Sequence, residues 1–215
     1  MPTELSPLTS MSLMTKEFPL ATKKGGQPLI IGLPKEISNQ ERRIVLTPEA
    51  VGLLSTNGIQ VMVESGSGLQ AKFKDQDYSD AGAKISYSKS EVLAADVLLK
   101  IAPPTLEEIK EMSPGACLIS ALQLENQSAE FIHALNEKKI TAVAFEYLED
   151  KVGGMPVVRA MSEIAGSTVM LIASEYLSSV NDGKGLILGG VTGVPPTQVV
   201  IIGAGTVAEY AARTA

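Results

Sequence analysis

Short apolar runs alternate with polar segments of helical character along residues 28–150. The runs are rich in Val, Ile and Leu, and they end at Pro, Gly or small polar residues, as β-strands do. Strands that alternate with helices at this spacing predict a mostly parallel sheet covered on both faces. The predicted strands are Leu29–Pro34, Gln60–Glu64, Ile85–Tyr87, Val97–Ile101, Ala116–Leu122 and Ile140–Tyr147.

The segments between these strands carry the signals that begin and end helices. Thr47-Pro48-Glu49 supplies a capping hydroxyl, a proline at the first helical position and an acid in the first turn, and Asn57-Gly58 ends the same helix. The fold class predicted for this region is a Rossmann-like α/β domain with a parallel sheet. Further helices are predicted at Asp77–Ala81, Lys89–Ala95, Thr105–Met112 and Ser128–Lys138.

After Gly153-Gly154, apolar residues recur at helical spacing and predict one long helix. This helix would extend over about 35 Å, long enough to join two domains. The predicted organisation is a flexible N-terminal arm (1–27), a substrate-binding and catalytic α/β domain (28–150), the interdomain helix (157–182) and the start of a dinucleotide-binding domain (183–215).

A glycine-rich turn near the end of the chain carries the clearest chemical signal. Val199–Ile202 predicts a strand buried on both faces, and Gly203-Ala204-Gly205-Thr206-Val207-Ala208 then leads into a helix predicted at 207–215. In this G-x-G-x-x-A pattern the first glycine permits the tight turn and the second lets the backbone approach a pyrophosphate. The third small residue lets helix pack on strand, and the helix N-terminus attracts the anion. The alternative is a tight β–α turn that needs glycine for backbone reasons only.

The position of this turn, at residues 203–208 of 215, bears on what the chain does alone. A nucleotide-binding domain needs several more βα units, and its acidic ribose ligand is expected about 20 residues further on. The sequence therefore predicts a fragment that is inactive by itself.

Composition removes several classes of function. A net charge of −6 without a Lys/Arg run argues against nucleic-acid binding. No apolar run reaches the length of a membrane span, and the N-terminus lacks the pattern of a signal peptide, so a cytoplasmic protein without a membrane segment is predicted. The single cysteine, Cys117, predicts a small buried side chain and excludes an intrachain disulfide and a cysteine-based metal site; no metal ligands are assigned.

Three positions in the α/β domain are candidates for chemistry. The loop Glu36–Arg43 follows the first strand at its carboxyl end, where open α/β sheets bind ligands. Lys100 is charged within an otherwise apolar strand, where it either reaches solvent or meets an anionic or carbonyl ligand. Gln123 follows the neighbouring strand. It is either a residue of the site or a polar residue that only begins a loop.

Several long motifs, in order, resemble the alanine dehydrogenase and nicotinamide nucleotide transhydrogenase family, and alanine dehydrogenase more closely. The similarity extends from about Ile30 to Ala215. No counterpart of the transhydrogenases' mobile loop is found near 148–160. The motifs are Gly32-Leu33-Pro34-Lys35-Glu36, Asn39 to Pro48, Asp96 to Lys100, Met161 to Gly166, Gly189-Gly190-Val191 and Gly203-Ala204-Gly205.

The resemblance implies an NAD-dependent oxidoreductase that interconverts L-alanine with pyruvate and ammonia, as a homo-oligomer. It implies that Arg43 binds the substrate carboxylate, because guanidinium matches carboxylate as a two-pronged donor. Lys100 would polarise the substrate carbonyl, and Ser162 would lie near the nicotinamide. The turn Gly203-Ala204-Gly205-Thr206-Val207-Ala208 would lie beneath the cofactor pyrophosphate.

One departure from the family keeps other readings open. The family's alanine dehydrogenases have an acid–base histidine where this chain has Gln123, and an amide cannot exchange a proton. The only histidine, His133, is predicted on a helix surface, with Phe131, Ile132 and Leu135 facing the core. Besides alanine dehydrogenase, with Lys100 or water moving the proton, the alternatives are a transhydrogenase α-subunit-like protein and a non-catalytic ligand-binding relative.

Overall fold

The computed structural model describes residues 28–38 and 40–215, and these contain a parallel α/β sheet. The predicted flexible arm, 1–27, lies outside the described residues. The strands are β1 (Ile30–Leu33), β2 (Gln60–Glu64), β3 (Lys84–Ser86), β4 (Val97–Leu99), β5 (Cys117–Ser120) and β6 (Thr141–Ala144). The helices are α1 (Pro48–Thr56), α2 (Asp75–Asp80), α3 (Lys89–Leu93), α4 (Leu106–Glu111), α5 (Ala129–Glu137), α6 (Pro156–Leu177) and α7 (Thr206–Thr214).

The sheet has the strand order β3-β2-β1-β4-β5-β6. β1 pairs in parallel with β2 on one side and with β4 on the other, and β2 pairs in parallel with β3. This is the order of a doubly wound fold, in which the chain proceeds outward from the centre in one direction and then in the other. The predicted α/β class and the six predicted strands are confirmed, with strand ends shifted by up to three residues.

The contacts divide the described residues into two compact units. Unit 1 contains the described residues up to Leu118 together with Ala134–Thr141. Unit 2 contains Ile119–His133 and Ala142–Ala215.

The core of unit 1 forms where alternate residues of β1 and β2 face the helices. Ile31 and Leu33 lie beside Val61 and Val63, and all four are at most 5% exposed. The side chain of Tyr78 on α2 completes this layer, and its hydroxyl donates to the carbonyl of Leu46 at 2.9 Å. Burial raises the pKa of Tyr78 to about 12, with a smaller contribution from the charge of Asp77.

The predicted start of α1 is confirmed. Thr47 Oγ1 accepts from the N–H of Ala50 at 3.3 Å, and Pro48 is the first helical residue. Asn57 closes the helix, and Gly58 follows with φ of +79°. Cys117 on β5 is half-buried, and burial raises the pKa of its thiol.

The long helix of unit 2, α6, has 22 residues, and a short 3₁₀ turn at Ser179–Asn181 follows it. By length and composition alone α6 is able to cross a membrane. This is weak evidence, because long apolar helices of soluble proteins satisfy the same criterion, and the absence of a membrane segment stays a prediction. Arg159 and Glu163, paired at 3.0 Å on α6, are polar residues within this helix.

Candidate active site

The strand order reverses direction between β1 and β4, the adjacent strands at the centre of the sheet. In open α/β sheets, ligands bind in the crevice outside the carboxyl ends of the two strands at such a point. Glu36 lies three residues after the end of β1, and Lys100 directly follows β4. The fold therefore places one acidic and one basic side chain, Glu36 and Lys100, at the position where such sheets bind ligands.

Lys100 is buried between two carboxylates of unit 1. Its side chain is 1% exposed, and its Nζ donates to both carboxylate oxygens of Glu108 at 3.1 Å. The Oε2 of Glu36 lies 3.7 Å from the same Nζ. Lys100 lies just after the end of β4, whereas the sequence predicts it within the strand. Because its side chain is buried, the alternative that Lys100 reaches solvent is wrong. Charge pairing makes the burial of this ammonium possible, because an unpaired buried charge is very costly.

Glu36 also anchors the backbone that follows β4. Its Oε1 accepts from the N–H of Ile101 at 2.6 Å, and its Oε2 accepts from the N–H of Ala102 at 3.4 Å. The Glu36 side chain is 7% exposed. One carboxylate thus holds both the segment that carries Lys100 and the charge at its tip.

The capping box that begins α4 fixes Glu108. Thr105 Oγ1 accepts from the N–H of Glu108 at 3.2 Å, while Glu108 Oε2 accepts from the N–H of Thr105 at 2.9 Å. Lys89 Nζ adds an ion pair to Oε1 at 2.9 Å. Burial acts to raise the pKa of Glu108, but the charge of Lys100 and the bonds from Lys89, Thr105 and Lys100 outweigh it and lower that pKa.

Replacing Glu108 with glutamine is expected to destabilise the chain by about 3 kcal/mol at neutral pH, because it leaves the buried ammonium of Lys100 undercompensated. The pKa of Glu108 is lowered below its ordinary value of 4.5, so its contribution is present above that pH. It is lost as the pH falls through the pKa of the folded state. Urea denaturation at several pH values measures both effects.

The matched control is Glu107→Gln, which removes an exposed charge one residue away on the same helix. Its effect is expected to stay within about 0.5 kcal/mol, as is usual for surface sites. Equal destabilisation by the two substitutions would contradict the assignment of Glu108 as a partner of Lys100.

Arg43, in the loop after β1, already holds a carboxylate. Its Nε donates to Glu41 Oε1 at 2.7 Å and its Nη2 to Oε2 at 2.6 Å, while its backbone N–H donates to Oε1 at 3.0 Å. The side chain of Arg43 is 54% exposed. Hydrogen bonding to Glu41 is the main cause that raises the pKa of Arg43, and the charge of Glu36 contributes in the same direction. Glu36 is thus an electrostatic neighbour of both Arg43 and Lys100.

In unit 2, the segment Val199–Ile202 is not the buried strand that the sequence predicts. It forms no strand, and Val200 and Ile202 are 85% and 97% exposed. A parallel strand requires hydrogen bonds to neighbouring strands, and no strand within 28–38 or 40–215 pairs with this segment. The segment has the apolar composition of a buried strand, but no strand among the described residues pairs with it to bury it.

The predicted turn and helix after this segment do form. Gly203 has φ of +123°, a conformation that side-chain-bearing residues avoid, and α7 begins at Thr206. Gly205 is the N-cap of α7, and no side-chain hydrogen bond caps the helix. A Cβ on Gly166 of α6 would overlap the carbonyl oxygen of Val207, so this glycine permits α6 and α7 to pack closely.

A cavity of about 930 Å³ in unit 2 brings Ser162 together with the glycine turn. Of the predicted cofactor-binding residues, all but Ala204 line it: Ser162, Gly203, Gly205, Thr206, Val207 and Ala208. No Cβ at Gly203 or Gly205 would meet another atom within 4 Å. The backbone of the turn is therefore open to a ligand.

Gln123, also in unit 2, follows β5 in a left-handed conformation with φ of +47° and ψ of +51°. Its N–H donates to Glu146 Oε1 at 2.8 Å. His133 is exposed on α5, as predicted, and Phe131 and Leu135 are buried. The prediction that Ile132 faces the core is wrong, because this side chain is 41% exposed.

Sequence reasoning missed the carboxylates that hold these residues. In the sequence, Glu36 and Glu41 stand out only as members of a loop and of the family motifs, and nothing singles out Glu108 or Glu146. A signal for Glu108 exists in the spacing of Thr105-x-x-Glu108, which is a capping box that fixes the glutamate at the start of a helix. No local pattern pairs Glu146 with Gln123, because 23 residues separate them.

Models of known families match two parts of this chain. Residues 32–165 match the family described as alanine dehydrogenase/PNT, N-terminal domain, and residues 169–215 match the corresponding C-terminal domain. The alanine dehydrogenase of Staphylococcus haemolyticus is 38% identical over 86% of this chain and 49% of its own length. The chain spans about half the length of the curated relatives it matches.

Solved structures give the same result. An L-alanine dehydrogenase superimposes with a TM-score of 0.81 at 36% identity, covering 86% of this chain and 51% of the other. The transhydrogenase from Sinorhizobium meliloti superimposes with a TM-score of 0.74 at 28% identity, covering 86% of this chain and 55% of the other. The predicted resemblance is confirmed, and the chain belongs to the alanine dehydrogenase/PNT family.

Proposed function

We propose that this chain is the substrate-binding part of an NAD-dependent alanine dehydrogenase, together with the first βα unit of its dinucleotide-binding domain. The reaction is the reversible conversion of L-alanine to pyruvate and ammonia. The observation that supports this proposal most is the buried Lys100 at the switch point of the sheet, charge-paired with Glu108 and with Glu36 beside it. A lysine fixed there is suited to donate a hydrogen bond to a substrate carbonyl.

Arg43 is the proposed ligand of the substrate carboxylate. A guanidinium binds a carboxylate through two parallel N–H donors, and Glu41 occupies one such pair in this chain. The substrate carboxylate would displace Glu41 from this pair of donors. The negative charge of Glu36 acts on both Arg43 and Lys100. The two residues proposed to bind the substrate therefore share one electrostatic environment.

The residues of unit 2 fit a dinucleotide cofactor. The open turn at Gly203 and Gly205 and the N-terminus of α7, which no side chain caps, would hold its pyrophosphate. Ser162, on the same cavity, would contact the nicotinamide end. When bound, NAD supplies a hydride acceptor for oxidation of the amino acid. The proposal of NAD as the cofactor rests on this fit and on the family.

The test uses the complete enzyme, which consists of these 215 residues followed by the rest of a dinucleotide-binding domain. Arg43→Ala is expected to raise the KM for pyruvate by about 30- to 1,000-fold, which corresponds to the loss of about 2–4 kcal/mol from a charge-assisted contact. The KM for NADH should stay nearly unchanged. Steady-state kinetics with each substrate varied in turn gives both constants.

Arg42→Ala is the control, since it removes an exposed neighbouring guanidinium of the same charge. It should leave both constants within about twofold, as surface substitutions usually do. If Arg43→Ala moves both constants equally, or moves neither, Arg43 is not the carboxylate ligand.

A transhydrogenase α-subunit-like protein is the second candidate, and Gln123 is the observation that favours it. Hydride transfer between two nucleotides requires no acid–base group for a substrate, so the missing imidazole would have no effect. The discriminating measurement is hydride transfer from NADH to an oxidised nucleotide analogue with alanine and pyruvate absent. We also propose a homo-oligomeric state, from the resemblance, and a cytoplasmic location, from the composition.

A further inference from the structure

The side chain of Glu41 binds Arg43 in the geometry that a substrate carboxylate would use. Its Oε1 accepts from the Nε of Arg43 at 2.7 Å, and its Oε2 accepts from the Nη2 at 2.6 Å. Two parallel bonds of this kind are the arrangement in which a guanidinium recognises a carboxylate. The backbone N–H of Arg43 donates a third bond, to Oε1 at 3.0 Å. One internal carboxylate therefore occupies three donors of a single residue.

This contact is confined to the loop between β1 and α1. Glu41 and Arg43 are two residues apart, so their bonds join the loop to no other element of unit 1. Glu36, in contrast, accepts from backbone 65 residues along the chain, and Glu108 is fixed in the capping box of α4. The packing of unit 1 therefore depends on Glu36 and Glu108 but not on Glu41.

Solvent reaches the pair, so a dissolved carboxylate can exchange with Glu41. The side chain of Arg43 is 54% exposed, while that of Glu41 is 15% exposed. Water screens the charges of an exposed ion pair, and such pairs contribute little to the free energy of folding. A substrate with a second polar group, such as a carbonyl, gains a contact that the Glu41 side chain lacks. It is therefore able to displace Glu41 from Arg43.

Protonation of Glu41 does not release Arg43 at neutral pH. The hydrogen bond from the Arg43 side chain is the main cause that lowers the pKa of Glu41 below its ordinary value of 4.5, and burial acts in the opposite direction. Glu41 therefore carries its charge, and holds Arg43, at every pH above that lowered pKa. At neutral pH, Arg43 becomes available through the exchange of one carboxylate for another.

We propose that Glu41 is an internal competitor for the substrate carboxylate and that it sets how tightly Arg43 binds small carboxylates. The inference rests on the proposed role of Arg43 and deepens it. A ligand gains Arg43 only in the fraction of molecules in which Glu41 has left it, and the measured affinity is reduced by that fraction. Removal of the competing charge therefore strengthens substrate binding.

The experiment is Glu41→Gln in the complete enzyme. Glutamine keeps the shape of the side chain without its charge, so it competes weakly for the guanidinium. We expect the KM for pyruvate to fall by about threefold to tenfold, while kcat and the KM for NADH stay within about twofold. Acetate has a carboxylate and no carbonyl. Its inhibition constant against pyruvate should fall by the same factor as the KM, and steady-state kinetics measures both.

Two further variants test whether the effect arises at Arg43. Glu49→Gln removes an exposed acidic charge from the first turn of α1, six residues after Arg43, and should leave all constants within about twofold. In the Arg43→Ala enzyme, Glu41→Gln should change the KM for pyruvate by less than about twofold, because the guanidinium for which it competes is gone.

A KM for pyruvate that rises in Glu41→Gln would show that Glu41 positions Arg43 for the substrate, and it would overturn the proposal. An unchanged KM would overturn it too, as would a fall without a matching fall in the inhibition constant of acetate. An equal fall in the Arg43→Ala enzyme, or from Glu49→Gln, would have the same consequence. A KM that Arg43→Ala leaves unchanged would instead count against the proposed role of Arg43.

Discussion

Lys100→Met is expected to abolish alanine oxidation by the complete enzyme and also to weaken its fold. The substitution keeps an unbranched side chain that is one atom shorter, and it removes the ammonium that Glu108 binds at 3.1 Å through both oxygens. Loss of one preorganised donor to a reacting oxygen lowers kcat by about 10²- to 10³-fold. Two nearly buried carboxylates, Glu36 and Glu108, also lose their common cation, which costs about 3–5 kcal/mol.

Two further variants separate catalysis from stability. Lys89→Met removes the other ion pair of Glu108, at 2.9 Å, from a side chain that is 37% exposed, and it leaves Lys100 in place. We expect it to keep turnover within about threefold, since a partly exposed ion pair contributes little. The double variant Lys100→Met with Glu108→Leu replaces the charge pair by apolar groups, which is often neutral for stability. It should regain the part of the stability that depends on Glu108, because Glu36 still lacks its cation, and it should not regain activity.

The measurements are urea denaturation and kcat/KM for alanine on the same preparations. A folded Lys100→Met enzyme that keeps its kcat/KM within tenfold of the unsubstituted enzyme would show that Lys100 is a structural residue. Recovery of activity in the double variant would lead to the same conclusion.

The sheet was predictable because its signals are local. Each of the six apolar runs predicted as strands within residues 28–150 forms a strand, and the capping residues Thr47 and Pro48 begin α1 as predicted. The failure at Val199–Ile202 has a physical cause, because burial depends on partners that are not encoded in the segment itself. Ile132 is a similar case: it is an apolar residue of the kind found in cores, but it lies on the exposed side of α5 because no element among the described residues covers it.

The sequence indicates the positively charged side chains of the candidate site but not the carboxylates that pair with them. The family motifs indicate both Arg43 and Lys100; Arg43 also lies in the loop after the first strand, and Lys100 is a charge within an otherwise apolar run. Their partners depend on tertiary structure, since Glu36 reaches Lys100 across 64 residues of sequence and Glu108 across eight. A buried lysine requires an anion, so the sequence indicates that a partner is needed without indicating which residue it is.

Gln123→His is expected to raise kcat for alanine oxidation by the complete enzyme by up to about 100-fold near neutral pH. An imidazole titrates close to neutrality, where a group that both accepts and donates protons is most effective. The backbone at this position favours the change, because histidine is among the residues that adopt the left-handed conformation more readily. The rate profile should gain a titration near pH 6–7, where an unperturbed histidine ionises.

The same variant discriminates among the proposed functions when it is combined with Lys100→Met. In an alanine dehydrogenase, Lys100→Met abolishes turnover with either residue at 123, because the substrate carbonyl needs its donor in both. An unchanged rate and pH profile in Gln123→His, with hydride transfer between nucleotides in the unsubstituted enzyme, would favour the transhydrogenase. If neither the unsubstituted enzyme nor Gln123→His turns over any substrate while pyruvate still binds in an Arg43-dependent manner, the chain belongs to a ligand-binding protein that has lost catalysis.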